Sequence, residues 1–132
     1  MYLYITKRIL SFSKKNKLNS NNISLLLLGL TFKENCNDVR NSQSIKLYHN
    51  LKKNFKNVYA YEPNINNKIE YSELKNINML DQINGKFDIV LLSVAHKEFK
   101  FLDKSKKILK NQSSFIFDIK WFLKPHSKVV FL

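Results

Sequence analysis

The sequence predicts an α/β fold, namely a doubly wound, mostly parallel, Rossmann-like sheet with helices on both faces. Short apolar runs occur at residues 23–28, 87–94 and 114–119, and they lack the polar alternation of a strand with one wet face. Segments with apolar residues at helical spacing alternate with these runs. Strands buried on both faces and joined by helices form parallel sheets, because each parallel connection has to cross back over the sheet.

The first half of the chain contains a helix, the first strand and a second helix. Residues 2–18 begin with apolar residues at helical spacing and become strongly basic, which predicts a helix that runs into an exposed linker. The run at residues 23–28 ends at Gly29, and its brevity predicts a strand rather than a helix. A helical pattern then starts near Ser42, with Asn41 or Ser42 as its N-cap.

The second half of the chain continues the alternation of strands and helices. Residues 57–62 predict a second strand, which stops at Pro63 because proline cannot continue a central ladder. Residues 64–84 are polar and weakly patterned, with hints of a short helix and a strand. A helix is predicted at residues 98–109, between the third and fourth strands, and residues 129–132 predict a short edge strand.

The length of 132 residues suits one domain and is too short for two ordinary ones. We assign residues 1–22 to an N-terminal helix and linker, and residues 23–132 to the folded domain. With 44% hydrophobic and 13% aromatic residues the chain can bury a real core. No apolar run approaches membrane-spanning length and no secretory signal is recognisable, so we expect a cytoplasmic protein without membrane association.

The formal net charge of +13 has two interpretations. It favours polyanionic partners such as nucleic acid, a membrane surface or phosphorylated small molecules. It also fits solvated lysines in a chain whose whole composition is biased toward lysine and asparagine. The lysines accompany every segment rather than one stripe, which favours the second interpretation. A basic nucleic-acid-binding module therefore stays only as the main alternative function.

The loop after the first strand carries the residues with the clearest chemistry. Parallel sheets bind ligands outside the carboxyl ends of their strands, which is where residues 29–42 lie. This loop has one glycine, too few for a GxGxxG dinucleotide fingerprint, and it lacks the Gly-Lys-Ser/Thr of a Walker loop. Lys33 and Arg40 supply two cations with Asp38 between them, beside a helix N-terminus. This set suits a phosphorylated or otherwise anionic ligand.

Three ordered segments resemble one enzyme family. GLTFKEN-x-x-DVRNS at residues 29–42 is similar to the start of the C-terminal domain of UDP-glucose, UDP-N-acetylhexosamine and GDP-mannose dehydrogenases. SVAHKEF at residues 93–99 and FDIK at residues 117–120 agree in order and spacing. The resemblance covers roughly residues 23–124 and looks closest to the UDP-N-acetylhexosamine 6-dehydrogenases. It implies the UDP-binding domain of an NAD-dependent oxidoreductase that makes polysaccharide precursors.

The resemblance also implies roles for four residues. Phe32 and Lys33 match a Phe-Lys pair that contacts the nucleotide-sugar, with the lysine at its anionic or polar groups. Arg40 matches an arginine that approaches NAD bound on another domain, across the interdomain cleft. Lys120 falls near a basic residue that relatives place against the sugar, although Trp121 departs from the glycine or arginine expected next.

Simpler interpretations stand beside these roles. Lys33 could equally be one more solvated lysine among many. Asp38 and Arg40 fit a local surface ion pair, which is common and weakly stabilising. His96 fits a helix-start or loop histidine better than a catalytic residue.

The remaining cysteine and histidines give no catalytic or metal-binding pattern. Cys36 is a single cysteine, so it forms no internal disulfide and cannot supply a multi-cysteine zinc site. Nothing nearby in sequence supplies the base that a reactive thiolate needs. His49 and His126 have no spacing typical of metal ligation.

Two segments that the family's chemistry requires do not occur in the sequence. The resemblance implies oxidation of a sugar C6 alcohol to a carboxylate by NAD, with a cysteine in a GxGG-x-C segment and an N-terminal NAD fingerprint. Two glycines cannot build both loops, so no catalytic residue is assigned. Residues 1–22 resemble the end of an interdomain helix. The chain is thus a piece of a split enzyme with a separately encoded N-terminal half, or a stand-alone or degenerate protein; self-association is left open.

We expect no catalysis by the isolated chain. Positioning a substrate without a nucleophile or a hydride acceptor leaves the reaction barrier almost untouched. The check is the absorbance of NADH after the purified chain is mixed with NAD and a UDP-sugar, and measurable turnover would contradict the expectation.

Overall fold

Five strands form a single sheet in the computed structural model, which describes residues 1–19, 21–65 and 71–132. The strands are β1 (Ser24–Leu28), β2 (Asn57–Tyr61), β3 (Ile89–Leu92), β4 (Phe115–Asp118) and β5 (Val129–Phe131). Their order in the sheet is β2-β1-β3-β4-β5, and each neighbouring pair is parallel. The predicted α/β fold with a parallel, doubly wound sheet is confirmed, and β5 lies at the edge where a short strand was expected.

The central strand β1 explains why this sheet needs apolar runs without alternation. Leu25, Leu26, Leu27 and Leu28 are all fully buried. Successive side chains of a strand point to opposite faces, so Leu25 and Leu27 belong to one core cluster while Leu26 and Leu28 belong to the other. Because both faces of β1 are covered, neither face leaves room for solvated side chains.

Two α-helices cover one face of the sheet. They are α1 (Tyr2–Lys15) and α2 (Gln43–Asn54), and Ile9 of α1 and Leu51 of α2 are buried in the same cluster. The side chain of Ser42 accepts a hydrogen bond from a backbone N–H in the first turn of α2, which confirms Ser42 as its N-cap. Within the described ranges, no helix is both long and apolar enough to cross a membrane.

The opposite face is covered by a 3₁₀ helix at Lys97–Asp103 and by loops. The prediction of an α-helix at residues 98–109 is therefore wrong in type and length. Phe99 and Leu102 are both fully buried, and their spacing of three residues fits the three residues per turn of a 3₁₀ helix. Beyond this helix the chain turns back, and Leu109 forms an isolated parallel bridge with Phe87, just before β3. The helix therefore does not continue to residue 109.

The weakly patterned region between β2 and β3 is only partly described. Residues 66–70 lie outside the described residues, as does Ser20 in the predicted linker. The described remainder contains a 3₁₀ turn at Ser72–Leu74 and an isolated parallel bridge between Met79 and Ala60. The hints of a short helix and a strand correspond to these two features.

Candidate functional site

A cavity of about 120 Å³ lies at the carboxyl edge of the sheet. It is bordered by the loops that follow β1, β3 and β4, beside the point where the strand order reverses. This is where ligands bind in open α/β sheets. Thr31, Phe32, Lys33, Ser93 and Lys120 line it from these loops, and α1 and the first turn of α2 complete its walls.

The three residues assigned to the substrate from sequence meet in this cavity. Phe32 and Lys33 come from the loop after β1, while Lys120 comes from the loop after β4. Among the described residues that line the cavity, none is acidic. The N-terminal turn of α2 adds a partial positive charge to that of the two lysines. The Phe32 side chain is largely exposed and presents an apolar ring next to these cations, so the cavity suits an anion that carries a flat or apolar group.

Gly29 lets the chain leave β1 and turn toward the cavity. Its φ angle is +97°, in the region that favours glycine. Its backbone N–H donates a hydrogen bond to the Tyr61 carbonyl oxygen at 3.0 Å. A Cβ at this position would lie 2.6 Å from the Cβ of Val94. The loops after β1 and β3 therefore approach each other more closely than any side chain at residue 29 would allow.

The buried carboxylate of Glu62 holds the start of the loop after β1. Glu62 directly follows β2, and its side chain is fully buried. Its Oε1 atom accepts hydrogen bonds from the backbone N–H groups of Leu30, at 2.7 Å, and Thr31, at 3.2 Å. Its Oε2 atom accepts one from the Asn64 N–H at 2.8 Å. One carboxylate thus joins the loops after β1 and β2.

His96 joins the same loops to the one after β3. Its ring is fully buried, and Nε2 lies 3.0 Å from Glu62 Oε1 and 3.1 Å from the Thr31 hydroxyl oxygen. Its Nδ1 atom accepts a hydrogen bond from the Asn35 backbone N–H at 2.9 Å, and the Asn64 amide nitrogen lies 3.3 Å away. His96 is also the N-cap residue of the 3₁₀ helix. The helix-start interpretation is confirmed. In addition, the buried ring links the loops after β1, β2 and β3 through its hydrogen bonds.

Arg40 does not line the cavity. Its Nε and one terminal nitrogen donate hydrogen bonds to the two carboxylate oxygens of Asp38, at 3.1 and 2.9 Å. These bonds, together with one from the Arg40 backbone N–H, lower the pKa of Asp38 from 3.8 to about 2. The side chain of Arg40 is 76% exposed. The local ion pair considered from sequence therefore exists, and Arg40 faces solvent rather than the residues assigned to the substrate.

Asp118, at the end of β4, fixes the loop that carries Lys120. Its two carboxylate oxygens accept hydrogen bonds from the backbone N–H groups of Lys120, at 2.9 Å, and Phe122, at 2.8 Å. Trp121 has a φ angle of +55°, and its ring stacks on Phe131 with 4.7 Å between ring centroids. The resemblance leads one to expect glycine or arginine at this position, and a left-handed backbone is the one that glycine adopts most readily.

Several residues that shape the site were not identified from sequence. Glu62 is the most important, and its position directly before Pro63 at a strand end was the available signal. Ser44 and Ser93 hydrogen-bond to each other through their hydroxyl groups in the cavity wall. Ser93 begins the second segment of the family resemblance, but nothing in the local sequence pairs it with Ser44, because their contact exists only in the folded chain.

A parallel α/β sheet with a cationic cavity at its switch point defines the class of Rossmann-like domains that bind anionic ligands. The family model for the UDP-glucose/GDP-mannose dehydrogenase family, UDP binding domain, matches residues 26–125. The chain belongs to this family.

Individual relatives agree with this membership. The chain is 27% identical over 124 residues to UDP-N-acetyl-D-glucosamine 6-dehydrogenase of Pseudomonas aeruginosa, which covers 93% of this chain and 29% of that protein. It is 32% identical over 125 residues to Protein CapL of Staphylococcus aureus, and the match covers 91% of this chain and 28% of CapL. The structure of the UDP-N-acetyl-mannosamine dehydrogenase Cap5O from S. aureus superimposes with a TM-score of 0.72 at 23% identity, over 98% of this chain and 29% of that one. The chain thus spans less than a third of these relatives' length, and the structural likeness supports the fold.

Proposed function

We propose that this chain binds a UDP-sugar in the carboxyl-edge cavity, as the nucleotide-sugar-binding domain of an NAD-dependent UDP-sugar 6-dehydrogenase. The observation that carries the proposal is that Phe32, Lys33 and Lys120 line one cavity. The two lysines offset the charge of a diphosphate, and the Phe32 ring provides a face for the uracil or the sugar. The names of the relatives favour a UDP-N-acetylhexosamine as the ligand.

The proposed complete enzyme oxidises the sugar C6 alcohol to a carboxylate in two successive hydride transfers, each to one molecule of NAD, and water supplies the second carboxylate oxygen. Within the described residues, Gly29 is the one glycine at the carboxyl edge, so the chain has no glycine-rich turn to cradle a pyrophosphate. Arg40 is the residue we assign to NAD, because its exposed guanidinium can exchange the Asp38 carboxylate for a phosphate. NAD is then held mainly by another part of the enzyme, which a separate gene or another region of the same gene encodes. The complete enzyme acts in the cytoplasm.

Replacement of Lys33 by alanine tests the proposed ligand site. Loss of one charge-assisted contact to the diphosphate is expected to weaken UDP-N-acetylglucosamine binding by roughly tenfold to a hundredfold. Isothermal titration calorimetry of the purified chain measures the dissociation constant directly. Lys106→Ala is the matched control, because it removes the same charge from an exposed position outside the cavity. We expect that control to bind like the wild type.

The same titrations separate this proposal from a nucleic-acid-binding module. Equal losses in both lysine variants would indicate binding to diffuse charge and contradict a specific site at Lys33. A nucleic-acid module predicts tight binding to an oligonucleotide that falls steeply with salt, because many phosphate contacts release counterions. Binding to one diphosphate predicts a weak salt dependence. Absence of UDP-sugar binding in the wild-type chain would overturn the proposed function.

A further inference from the structure

We propose that His96 is a positioning residue for the ligand-binding loop, and that it acts as a neutral ring with its proton on Nε2. The inference rests on the proposed function, since the loop it positions carries Phe32 and Lys33. His96 itself does not line the cavity. It therefore acts on the ligand through the loop and does not touch it.

The hydrogen bonds around the ring define its tautomer. A backbone N–H can only donate, so the bond from the Asn35 N–H requires an unprotonated Nδ1. The Asn64 amide nitrogen, a second donor, lies on the same side and also donates to the Cys36 carbonyl oxygen at 3.1 Å. On the other side, Nε2 faces the Glu62 carboxylate, which can only accept. A proton on Nε2 alone satisfies both sides.

The ring is tied to both ends of the segment that carries the proposed ligand contacts. At one end, Nε2 lies 3.1 Å from the Thr31 hydroxyl oxygen and donates its proton to it. This hydroxyl in turn donates to the Lys33 carbonyl oxygen at 2.8 Å. At the other end, Nδ1 accepts from the Asn35 N–H. The Asn35 side-chain oxygen in turn accepts from the Lys97 N–H at 3.1 Å. Phe32 and Lys33 are thus held between two anchored positions.

Protonation of the ring would release one of these anchors. A proton on Nδ1 points at the Asn35 N–H and the Asn64 amide, which are both donors, so the Asn35 bond is lost. Among the described residues in contact with the ring, Glu62 is the one that carries a charge. The neighbours from the other elements are the Thr31 hydroxyl, the Asn35 and Asn64 amides and the Phe99 ring, whose centroid lies 5.5 Å away. The observed arrangement of the loop therefore requires that Nδ1 carry no proton.

Two variants of His96 separate its two hydrogen-bonding sides. His96→Asn keeps an acceptor close to the Nδ1 position and removes the donor at Nε2. His96→Gln keeps a donor close to the Nε2 position and loses the acceptor for the Asn35 N–H. His49→Asn makes the same chemical change on the exposed side of α2 and serves as the control. The ligand is UDP-N-acetylglucosamine, whose diphosphate is esterified at both ends, whereas free UDP has a terminal phosphate with a second pKa of about 6.

The dissociation constants of the wild type and the three variants are measured by calorimetry at about pH 8, where an ordinary imidazole is neutral. We expect His49→Asn to bind like the wild type, whereas a loop held in place only part of the time binds more weakly in proportion. His96→Asn is expected to bind within about threefold of wild type, because it keeps an acceptor for the Asn35 N–H. His96→Gln is expected to bind roughly tenfold more weakly at pH 8.

Nitrogen-15 NMR of the histidine rings gives a readout that does not depend on the variants folding. The proposal requires a neutral His96 ring that carries its proton on Nε2 at about pH 8. A proton on Nδ1 would overturn it. Equal losses of affinity in His96→Asn and His96→Gln would mean that the acceptor at Nδ1 does not position the loop, and would also overturn it. Failure of the wild type to bind would instead refute the proposed function.

Discussion

Replacement of Gly29 by alanine is expected to lower the free energy of unfolding by about 3 kcal/mol or more. Two costs add at this position. A φ angle of +97° is unfavourable for any residue with a Cβ. The new Cβ would also lie 2.6 Å from the Val94 Cβ and 3.0 Å from the Val94 backbone nitrogen, so the loops after β1 and β3 have to separate. Urea denaturation followed by circular dichroism measures the loss.

Gly85→Ala is the matched control for the alanine at Gly29. Gly85 also has a positive φ angle, +156°, but a Cβ there meets no atom within 4 Å. Its substitution carries only the conformational cost, about 1 kcal/mol. A loss at Gly29 well above that at Gly85 would therefore report the clash with Val94. Equal losses of stability in the two variants would show that the close approach of the two loops adds nothing to the cost of a side chain at residue 29.

The architecture was predictable because a strand that is buried on both faces has a recognisable sequence pattern. A strand such as β1, with four fully buried leucines in succession, has no polar alternation and is too short for a helix. The order of apolar runs and helical segments then implied parallel pairing. The segment after β3 was not predictable in the same way. Its buried residues Phe99 and Leu102 are consistent with an α-helix or a 3₁₀ helix, and only the packing against the sheet distinguishes the two.

The candidate site was predictable to the extent that loops at strand ends converge. The resemblance pointed to Phe32, Lys33 and Lys120, and the parallel sheet brings the loops after β1 and β4 to one edge. Arg40 was assigned on the same basis but lies outside the cavity. Asp38, two residues away, pairs with the guanidinium, so Arg40 has a local partner on the surface of the chain. Its assignment to NAD stays a prediction about a complex with another domain.

The hydrogen bonds that hold the loop after β1 were not predictable, because the residues that make them are distant in sequence. Glu62, His96 and Thr31 come from three different strand ends. Thr31 and His96 lie in segments that carry the family resemblance, but nothing in those segments pairs them with each other or with Glu62. A buried glutamate is unusual unless its oxygens are satisfied. Knowing that Glu62 is buried already requires knowing that the loop after β1 folds over the end of β2. This information exists only in the tertiary structure.

Replacement of Glu62 by alanine is expected to destabilise the chain by about 3 kcal/mol or more. The substitution leaves the buried N–H groups of Leu30 and Thr31 without their acceptor and removes one of the two partners of His96 Nε2. Each unsatisfied buried donor carries its full desolvation cost. Urea denaturation measures the change in stability. UDP-sugar binding, by calorimetry at a temperature where the variant is folded, should weaken as well, since the loop has lost its attachment to β2.

Two comparison variants make the Glu62 prediction specific. Glu62→Gln keeps one carbonyl oxygen for the donors on the Oε1 side but turns an amide toward the Asn64 N–H, so a loss of about 1 to 2 kcal/mol is expected. Glu34→Ala removes an exposed carboxylate from the same loop and should change stability by less than about 0.5 kcal/mol. A Glu62→Ala variant as stable as Glu34→Ala would mean that water satisfies the loop donors equally well. The carboxylate would then have no part in holding Phe32 and Lys33 at the cavity.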